Sequence, residues 1–225
     1  MKRIALILFF VAAIGELLSI IAGLELLHFV CKPLIMVTLG AYYLSSAGEE
    51  RSLVVLLAIV FSLAGDTALM FDSIDPIYFM VGLVSFLISH VFYIVAYRQQ
   101  QGDEEANALQ GIQKLRAAFP IVLAGTGLVV ILYPTLGALK IPVVIYALVL
   151  VVMVLNGLFR LGRTNNKSFF LVLAGALFFL VSDSLLAINK FLMPLPQSGL
   201  LIMGTYIIAQ FLIIEGLLSH PRNIR

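Results

Sequence analysis

Apolar segments of about twenty residues follow one another along almost the whole chain. Segments of that length suffice for a helix to cross a bilayer, and they lie at about 4–23, 26–45, 52–72, 76–97, 117–134, 139–161, 168–191 and 198–219. Only 12% of the 225 residues are charged, whereas a soluble domain carries about 25%. We therefore expect an all-α membrane protein, with eight transmembrane helices in a single polytopic domain over residues 1–225.

The first segment, MKRIALILFFVAAIGELLSIIAG, combines a basic start with an apolar centre, as a signal peptide does. Its apolar run continues to about residue 23, and no Ala-x-Ala-like cleavage site follows. We interpret it as a first membrane span that is retained.

Lys and Arg are distributed unevenly between the two sides of the predicted membrane. With the N-terminus inside, only Lys32, Lys140 and Lys190 fall on the outer half. The other eleven fall on the inner side: Lys2, Arg3, Arg51, Arg98, Lys114, Arg116, Arg160, Arg163, Lys167, Arg222 and Arg225. By the positive-inside rule, both termini are expected in the cytoplasm. We expect the protein in a bacterial inner membrane.

The two halves of the chain carry similar segments on either side of one polar stretch. RQQQGDEEANALQGIQKLR (98–116) separates residues 1–97 from 117–225. At an offset of 117 residues, the apolar segment around Asp66 aligns with the one around Asp183, matching Phe61, Leu63 and Leu69 to Phe178, Leu180 and Leu186. This alignment predicts a parallel repeat of four plus four helices.

Asp66 and Asp183 are the leading candidates for catalysis. A charged side chain in mid-bilayer costs about 3 kcal/mol on insertion scales, and the two carboxylates fall at the same predicted depth on matching spans. A protonated carboxyl beside an ionised one supplies both the acid and the base that catalysis needs. The simpler alternative is that each Asp only bonds a neighbouring helix.

Five further polar residues are candidates for substrate binding. Lys32 is either a counter-ion or phosphate ligand or a snorkelling lysine, and His90 is either a proton relay or a packed hydrogen-bonding residue. Gln210 aligns opposite His90, and most tyrosines fit an interfacial belt, from which Tyr93 and Tyr206 can also point inward. Three scattered histidines and one cysteine do not predict a metal site, and no cofactor is expected.

Several short segments together resemble the YhhN family of membrane proteins, which includes lysoplasmalogenases. They are KPL (32–34), GDTALMF (65–71), SFLISHVFYI (85–94), SDSLLAINKF (182–191) and AQ (209–210). The resemblance implies hydrolysis of the vinyl ether bond of a lysophospholipid, without a metal or organic cofactor. It places Asp66 and Asp183 on the carboxylates presumed catalytic, and Lys32, His90 and Gln210 at lesser positions of the site.

Two other functions fit the same pattern. Repeated halves with intramembrane carboxylates are also typical of a proton-coupled transporter, although neither half shows a matched Gly/Pro-broken helix. A non-catalytic lipid-binding protein is the third alternative. No nucleic-acid partner is expected, because the chain has no basic patch with interleaved aromatic residues.

Overall fold

The computed structural model describes residues 1–102 and 108–220, and this part of the chain is built of helices. The eight helices are α1 (Lys2–Ala22), α2 (Glu25–Ala47), α3 (Leu53–Leu69), α4 (Pro76–Gln99), α5 (Gly111–Leu132), α6 (Lys140–Leu158), α7 (Asn166–Phe191) and α8 (Ser198–Leu218). A 3₁₀ turn (Gly137–Leu139) precedes α6. The all-α class and the number of helices predicted from the sequence are confirmed.

The described helices have the dimensions of membrane spans. Seven of them are long and apolar enough to cross a bilayer, and α3 is a shorter apolar helix of 17 residues. Contacts divide the chain into unit 1 (Met1–Ala96) and unit 2 (Tyr97–Arg225). The protein is an integral membrane protein.

Several spans differ at their ends from the sequence-based expectation, and those of α3 and α5 show why. The segment predicted over 52–72 ends its helix at Leu69, because a turn follows and Asp75 accepts a hydrogen bond from the backbone N–H of Ile77 (2.8 Å) at the start of α4. The span predicted over 117–134 begins its helix at Gly111. Its first turn is polar but contains good helix formers such as Lys114, which a search for apolar residues does not detect.

In unit 1, α1 and α2 form a helical hairpin with a very short connection. Gly23 adopts the left-handed conformation (φ 64°), and Leu24 N–H bonds to the carbonyl of Ser19 (3.0 Å). The packed face of α1 consists largely of small residues, whereas large apolar residues such as Ile7 and Val11 are exposed. Small residues at the helix interface and large ones toward lipid are typical of membrane bundles.

Helices α3 and α4 of unit 1 are held together by hydroxyl groups and a glycine contact. The hydroxyls of Ser62 and Ser89 lie 2.8 Å apart, and Ser89 also donates to the carbonyl of Ala58 (2.8 Å). One turn along α3, a Cβ on Gly65 would lie 2.6 Å from the ring of Phe86. Gly65 therefore allows the ring to pack directly against the α3 backbone beside Asp66.

In unit 2, α7 and α8 pack antiparallel along most of their length. Ser168 donates to the carbonyl of Gly216 (2.7 Å) at one end, and Ser182 donates to the carbonyl of Ile202 (3.0 Å) toward the other. Between them, a Cβ on Gly175 would lie 2.8 Å from the carbonyl oxygen of Ala209. The glycine allows the two backbones to approach closely.

A buried arginine joins several segments at one end of unit 2. Arg160 is fully buried and donates to the carbonyl of Tyr97 (3.0 Å) and the hydroxyl of Ser168 (2.7 Å). Its guanidinium also lies 5.8 Å from the centre of the Tyr97 ring. Burial lowers the pKa of Arg160 to about 10, so the side chain remains charged at neutral pH.

The close contact of α7 with α8 can be tested with two glycine substitutions. Gly175→Ala should lower the free energy of unfolding by about 1–3 kcal/mol, because the added methyl group collides with backbone atoms. Gly204→Ala on α8 is the matched control, since a Cβ there meets nothing within 4 Å. It should be neutral or stabilising by up to about 1 kcal/mol. Circular dichroism during thermal unfolding in detergent measures both, and equal stability of the two variants would contradict the packing.

Candidate functional site

Asp66 lies on α3 of unit 1 and is buried, with 3% of its surface exposed. The contacts of α3 with α4 place it at the level of Ser85, five residues from His90, or about 8 Å of helical rise. His90 is fully buried, as is Tyr93 nearly one turn farther along α4. Asp66, His90 and Tyr93 are therefore spread over about two helical turns of one helix pair.

The α1–α2 hairpin contains a carboxylate–imidazole pair that the sequence analysis missed. Glu16 is fully buried, and its Oε1 lies 2.8 Å from Nδ1 of His28. Ser19 donates to the other carboxylate oxygen of Glu16 (3.3 Å). The Glu16 carboxylate and the His28 imidazole thus lie in the helical turns of α1 and α2 nearest to the connection at Gly23. The signal in the sequence was a lone acidic residue seven positions before a helix-ending glycine.

Lys32 lies close to this pair. It is half-buried on α2, one helical turn after His28, and its charge interacts favourably with that of Glu16. That Lys32 is a counter-ion for Asp66 stays a prediction. This electrostatic interaction groups Lys32 with Glu16 and His28.

Asp183 of unit 2 has a partner that the sequence analysis did not consider. The hydroxyl of Tyr146 donates to Oδ2 of Asp183, at 2.5 Å. Tyr146 is buried on α6, whereas Asp183 is partly exposed on α7. The two residues are 37 positions apart, so only the packing of α6 against α7 brings them together.

Tyr206 and Gln210 occupy different levels of α8. The ring of Tyr206 packs edge-to-face on Phe179 (5.5 Å), one helical turn before Asp183. Gln210 is fully buried and follows Ala209, whose carbonyl lies at Gly175. Gly175 is eight residues from Asp183, or about 12 Å along α7. Tyr206 is thus the nearer of the two predicted binding residues to Asp183.

Most of the tyrosines assigned to an interfacial belt are buried inside the protein. Tyr133 is 49% exposed, but five others are at most 3% exposed: Tyr42, Tyr43, Tyr93, Tyr97 and Tyr206. Tyr43, for example, accepts a hydrogen bond from Ser52 N–H (2.9 Å), which joins the end of α2 to the start of α3. Within residues 1–102 and 108–220, no three His, Cys, Asp or Glu side chains are grouped to hold a metal ion.

The model of the YhhN family matches residues 27–217, which is most of the chain. The chain belongs to the YhhN family. The matched region includes Lys32, Asp66, His90, Asp183 and Gln210, but begins after Glu16. The resemblance noted in the sequence is therefore confirmed.

Two human relatives of this YhhN protein carry the name lysoplasmalogenase. It is 34% identical to lysoplasmalogenase TMEM86A from Homo sapiens over 71% of its own length and 62% of that protein. It is 30% identical to human lysoplasmalogenase TMEM86B over 73% of its length and 63% of that protein. The chain thus aligns with less than two thirds of these relatives. No solved structure matches it.

The Glu16–His28 contact can be tested through the stability of the hairpin. His28→Ala should lower the free energy of unfolding by about 1–3 kcal/mol, because Glu16 loses the imidazole nitrogen that lies 2.8 Å from its Oε1 while remaining buried. Cys31 is the sole cysteine, is buried, and would contact a Cβ on Gly15. A thiol-reactive fluorophore during a thermal ramp therefore reports opening of this hairpin.

The control for this prediction is a double variant. Glu16→Gln combined with His28→Ala replaces the buried carboxylate with an uncharged amide, which costs less to bury. It should be more stable than His28→Ala alone. If His28→Ala unfolds at the same temperature as the original protein, the Glu16–His28 contact contributes nothing to stability.

Proposed function

We propose that this YhhN protein is an intramembrane hydrolase that cleaves the vinyl ether bond of lysoplasmalogens. The observation that carries the proposal is the 30–34% identity, over about 70% of the chain, to human proteins named lysoplasmalogenase. The products would be a fatty aldehyde and a glycerophospho-alcohol. We further propose that the protein resides in a bacterial inner membrane with both termini in the cytoplasm.

The chemistry of a vinyl ether suits carboxylate catalysis. The β-carbon of the double bond is electron-rich and accepts a proton, which creates an oxocarbenium ion stabilised by the ether oxygen. A water molecule then adds to the cationic carbon, and the resulting hemiacetal loses the glycerol oxygen as an alcohol. The reaction consumes one water and needs one acid and one group that accepts a proton. No redox step is involved.

We assign Asp66 as the proton donor. Its side chain is almost completely excluded from the surface of the protein, as suits a group that passes a proton to carbon away from bulk water. The Phe86 ring that packs against Gly65 supplies apolar surroundings next to it. In the proposed step, the Asp66 proton passes to the β-carbon, and the π electrons of the double bond form the new C–H bond.

We assign Asp183 as the carboxylate that stabilises the cation and receives a proton from the attacking water. It accepts the hydrogen bond of Tyr146 at Oδ2, and this bond fixes the orientation of the carboxylate. Unlike Asp66, Asp183 is partly exposed, which suits a group that exchanges protons with water. That Asp66 and Asp183 serve one reaction remains a prediction of the repeat.

The other predicted residues are assigned to substrate binding. Lys32 supplies a cation for the phosphate of the head group, beside the Glu16–His28 pair. Tyr206, one turn from the level of Asp183, is proposed to contact the alkenyl chain. His90, Tyr93 and Gln210 are proposed to line the rest of the binding region, and their buried positions fit an apolar ligand.

The proposed activity is tested by incubating the purified protein with a 1-alkenyl lysophosphatidylethanolamine in mixed micelles and measuring the released aldehyde. Asp66→Asn and Asp183→Asn should each reduce turnover by at least about 10³-fold, because Asn can neither donate nor accept the required proton. The double variant should be no slower than the single ones if both residues serve one reaction.

Tyr146→Phe provides a graded comparison for the same assay. It keeps Asp183 and removes only the hydrogen-bond donor, so kcat should fall on the order of 10²-fold with little change in KM. A 1-alkyl analogue, which has no double bond to protonate, should not react with any form. If either Asn variant folds and retains the original rate, the carboxylate mechanism is wrong. If the unaltered protein releases no aldehyde, the proposed substrate is wrong.

A further inference from the structure

An open pocket of about 580 Å³ lies within unit 2, where α4 ends and α5 begins. Three of its lining residues are basic, namely Arg98, Lys114 and Arg163. The amide of Asn156 and the ring of Phe159 also line it, together with aliphatic side chains. The pocket therefore combines concentrated positive charge with an apolar wall. The proposed hydrolysis uses none of these residues.

Two of the three basic side chains in this pocket have no acidic partner among the described residues. Among residues 1–102 and 108–220, no carboxylate forms an ion pair with Arg98 or Lys114. The ammonium of Lys114 lies 4.2 Å from the centre of the Phe159 ring, which orients it without removing its charge. An anion is the ligand class that such a site attracts.

Arg98 is held in a fixed orientation by a buried amide. Its Nε donates to Oδ1 of Asn156 (2.7 Å), and the Asn156 amide nitrogen donates to the carbonyl of Val152 (2.7 Å). Asn156 is 7% exposed, so both its polar groups are used inside the protein. The Nη groups of Arg98 have no partner in the described part of the chain. A guanidinium fixed through Nε with its Nη groups available is suited to phosphate oxygens.

The pocket is distant from the Tyr146–Asp183 contact. Asn156 is ten residues from Tyr146 on α6, or about 15 Å of helical rise. In a lysoplasmalogen, only the glycerol carbons and their oxygens separate the phosphorus from the vinyl ether, a much shorter path. The phosphate of a lipid reacting at Asp183 therefore does not reach this pocket.

We infer that the pocket formed by Arg98, Lys114, Arg163, Asn156 and Phe159 is a separate binding site for a phosphate-bearing anion. The positive-inside prediction places this end of unit 2 at the cytoplasmic interface, where both anionic lipid head groups and soluble phosphates are present. The apolar wall beside the three cations favours a ligand with a non-polar part next to its phosphate.

Native mass spectrometry of the full chain in a neutral detergent tests the lipid source. The probes are phosphatidylglycerol and phosphatidylcholine with the same acyl chains, and equilibrium dialysis against radiolabelled inorganic phosphate tests the soluble source. We expect at least a tenfold preference for phosphatidylglycerol, measurable phosphate binding, or both. Binding of phosphate alone assigns the site to a soluble ligand, and binding of the lipid alone assigns it to a head group; either supports the site.

Charge-matched variants then locate the binding. Lys114→Gln and Arg98→Gln should each reduce affinity at least fivefold. Arg116→Gln is the control, because it removes the same charge from the same helix at an exposed position that does not line the pocket. It should change affinity less than twofold. Thermal unfolding verifies that each variant is folded, and Lys114→Gln alters an exposed side chain that makes no hydrogen bond to another described residue.

Three results would overturn the inference. The first is the absence of any preference for the anionic probes in the unaltered protein. The second is an equal loss of binding in Arg116→Gln, which would indicate only a diffuse surface charge. The third involves Asp103, Glu104 and Glu105, which lie outside the described residues. If binding appears only after these three are changed to Asn, Gln and Gln, the chain's own acids occupy the pocket.

Discussion

The cost of placing a polar group in hydrocarbon is the constraint on which this structure depends. It requires backbone hydrogen bonds to be made within each segment, which is why the described chain is helical. It also limits the polar side chains that helices can carry to those with a partner or a function. In both units, buried ionisable groups form specific contacts, such as Glu16 with His28 and Tyr146 with Asp183.

These contacts depend on close approach of the helices. The Gly23 turn brings α2 back along α1, so that His28 reaches Glu16. In unit 2, Gly175 likewise allows close packing, because it lets the backbone of α8 lie directly against the backbone of α7. A chain with few charges thus uses glycines and hydroxyls to set helix distances, and the ionisable groups are positioned as a consequence.

The sequence predicted the helices well because each span carries its own apolar signal over about twenty residues. It predicted their ends less well, as at Leu69 and Gly111, because turn chemistry and polar helical turns are invisible to an apolar window. Asp66 and Asp183 could be singled out because a carboxylate is conspicuous in an apolar segment. Tyr146 could not be singled out, because its role depends on a contact with Asp183, which lies 37 residues away on another helix.

The basic residues at one end of unit 2 also have roles that could not be predicted from the sequence. Arg98, Arg160 and Lys114 all enter the positive-inside prediction as equivalent charges. In the structure, Arg160 is fully buried among carbonyl and hydroxyl acceptors, whereas Arg98 and Lys114 line a pocket. Only the three-dimensional arrangement separates a structural cation from one available to a ligand.

The central claim is that a proton adds to the β-carbon of the vinyl ether and that water then attacks the carbon bonded to the ether oxygen, and isotope labelling tests this sequence most directly. The purified protein is incubated with a 1-alkenyl lysolipid in D₂O, and in a parallel sample in H₂¹⁸O, with immediate reduction of the aldehyde. The account predicts one deuterium on the carbon next to the carbonyl, and no ¹⁸O in the glycerophospho-alcohol. An aldehyde without that deuterium, or ¹⁸O in the glycerol product, would contradict it.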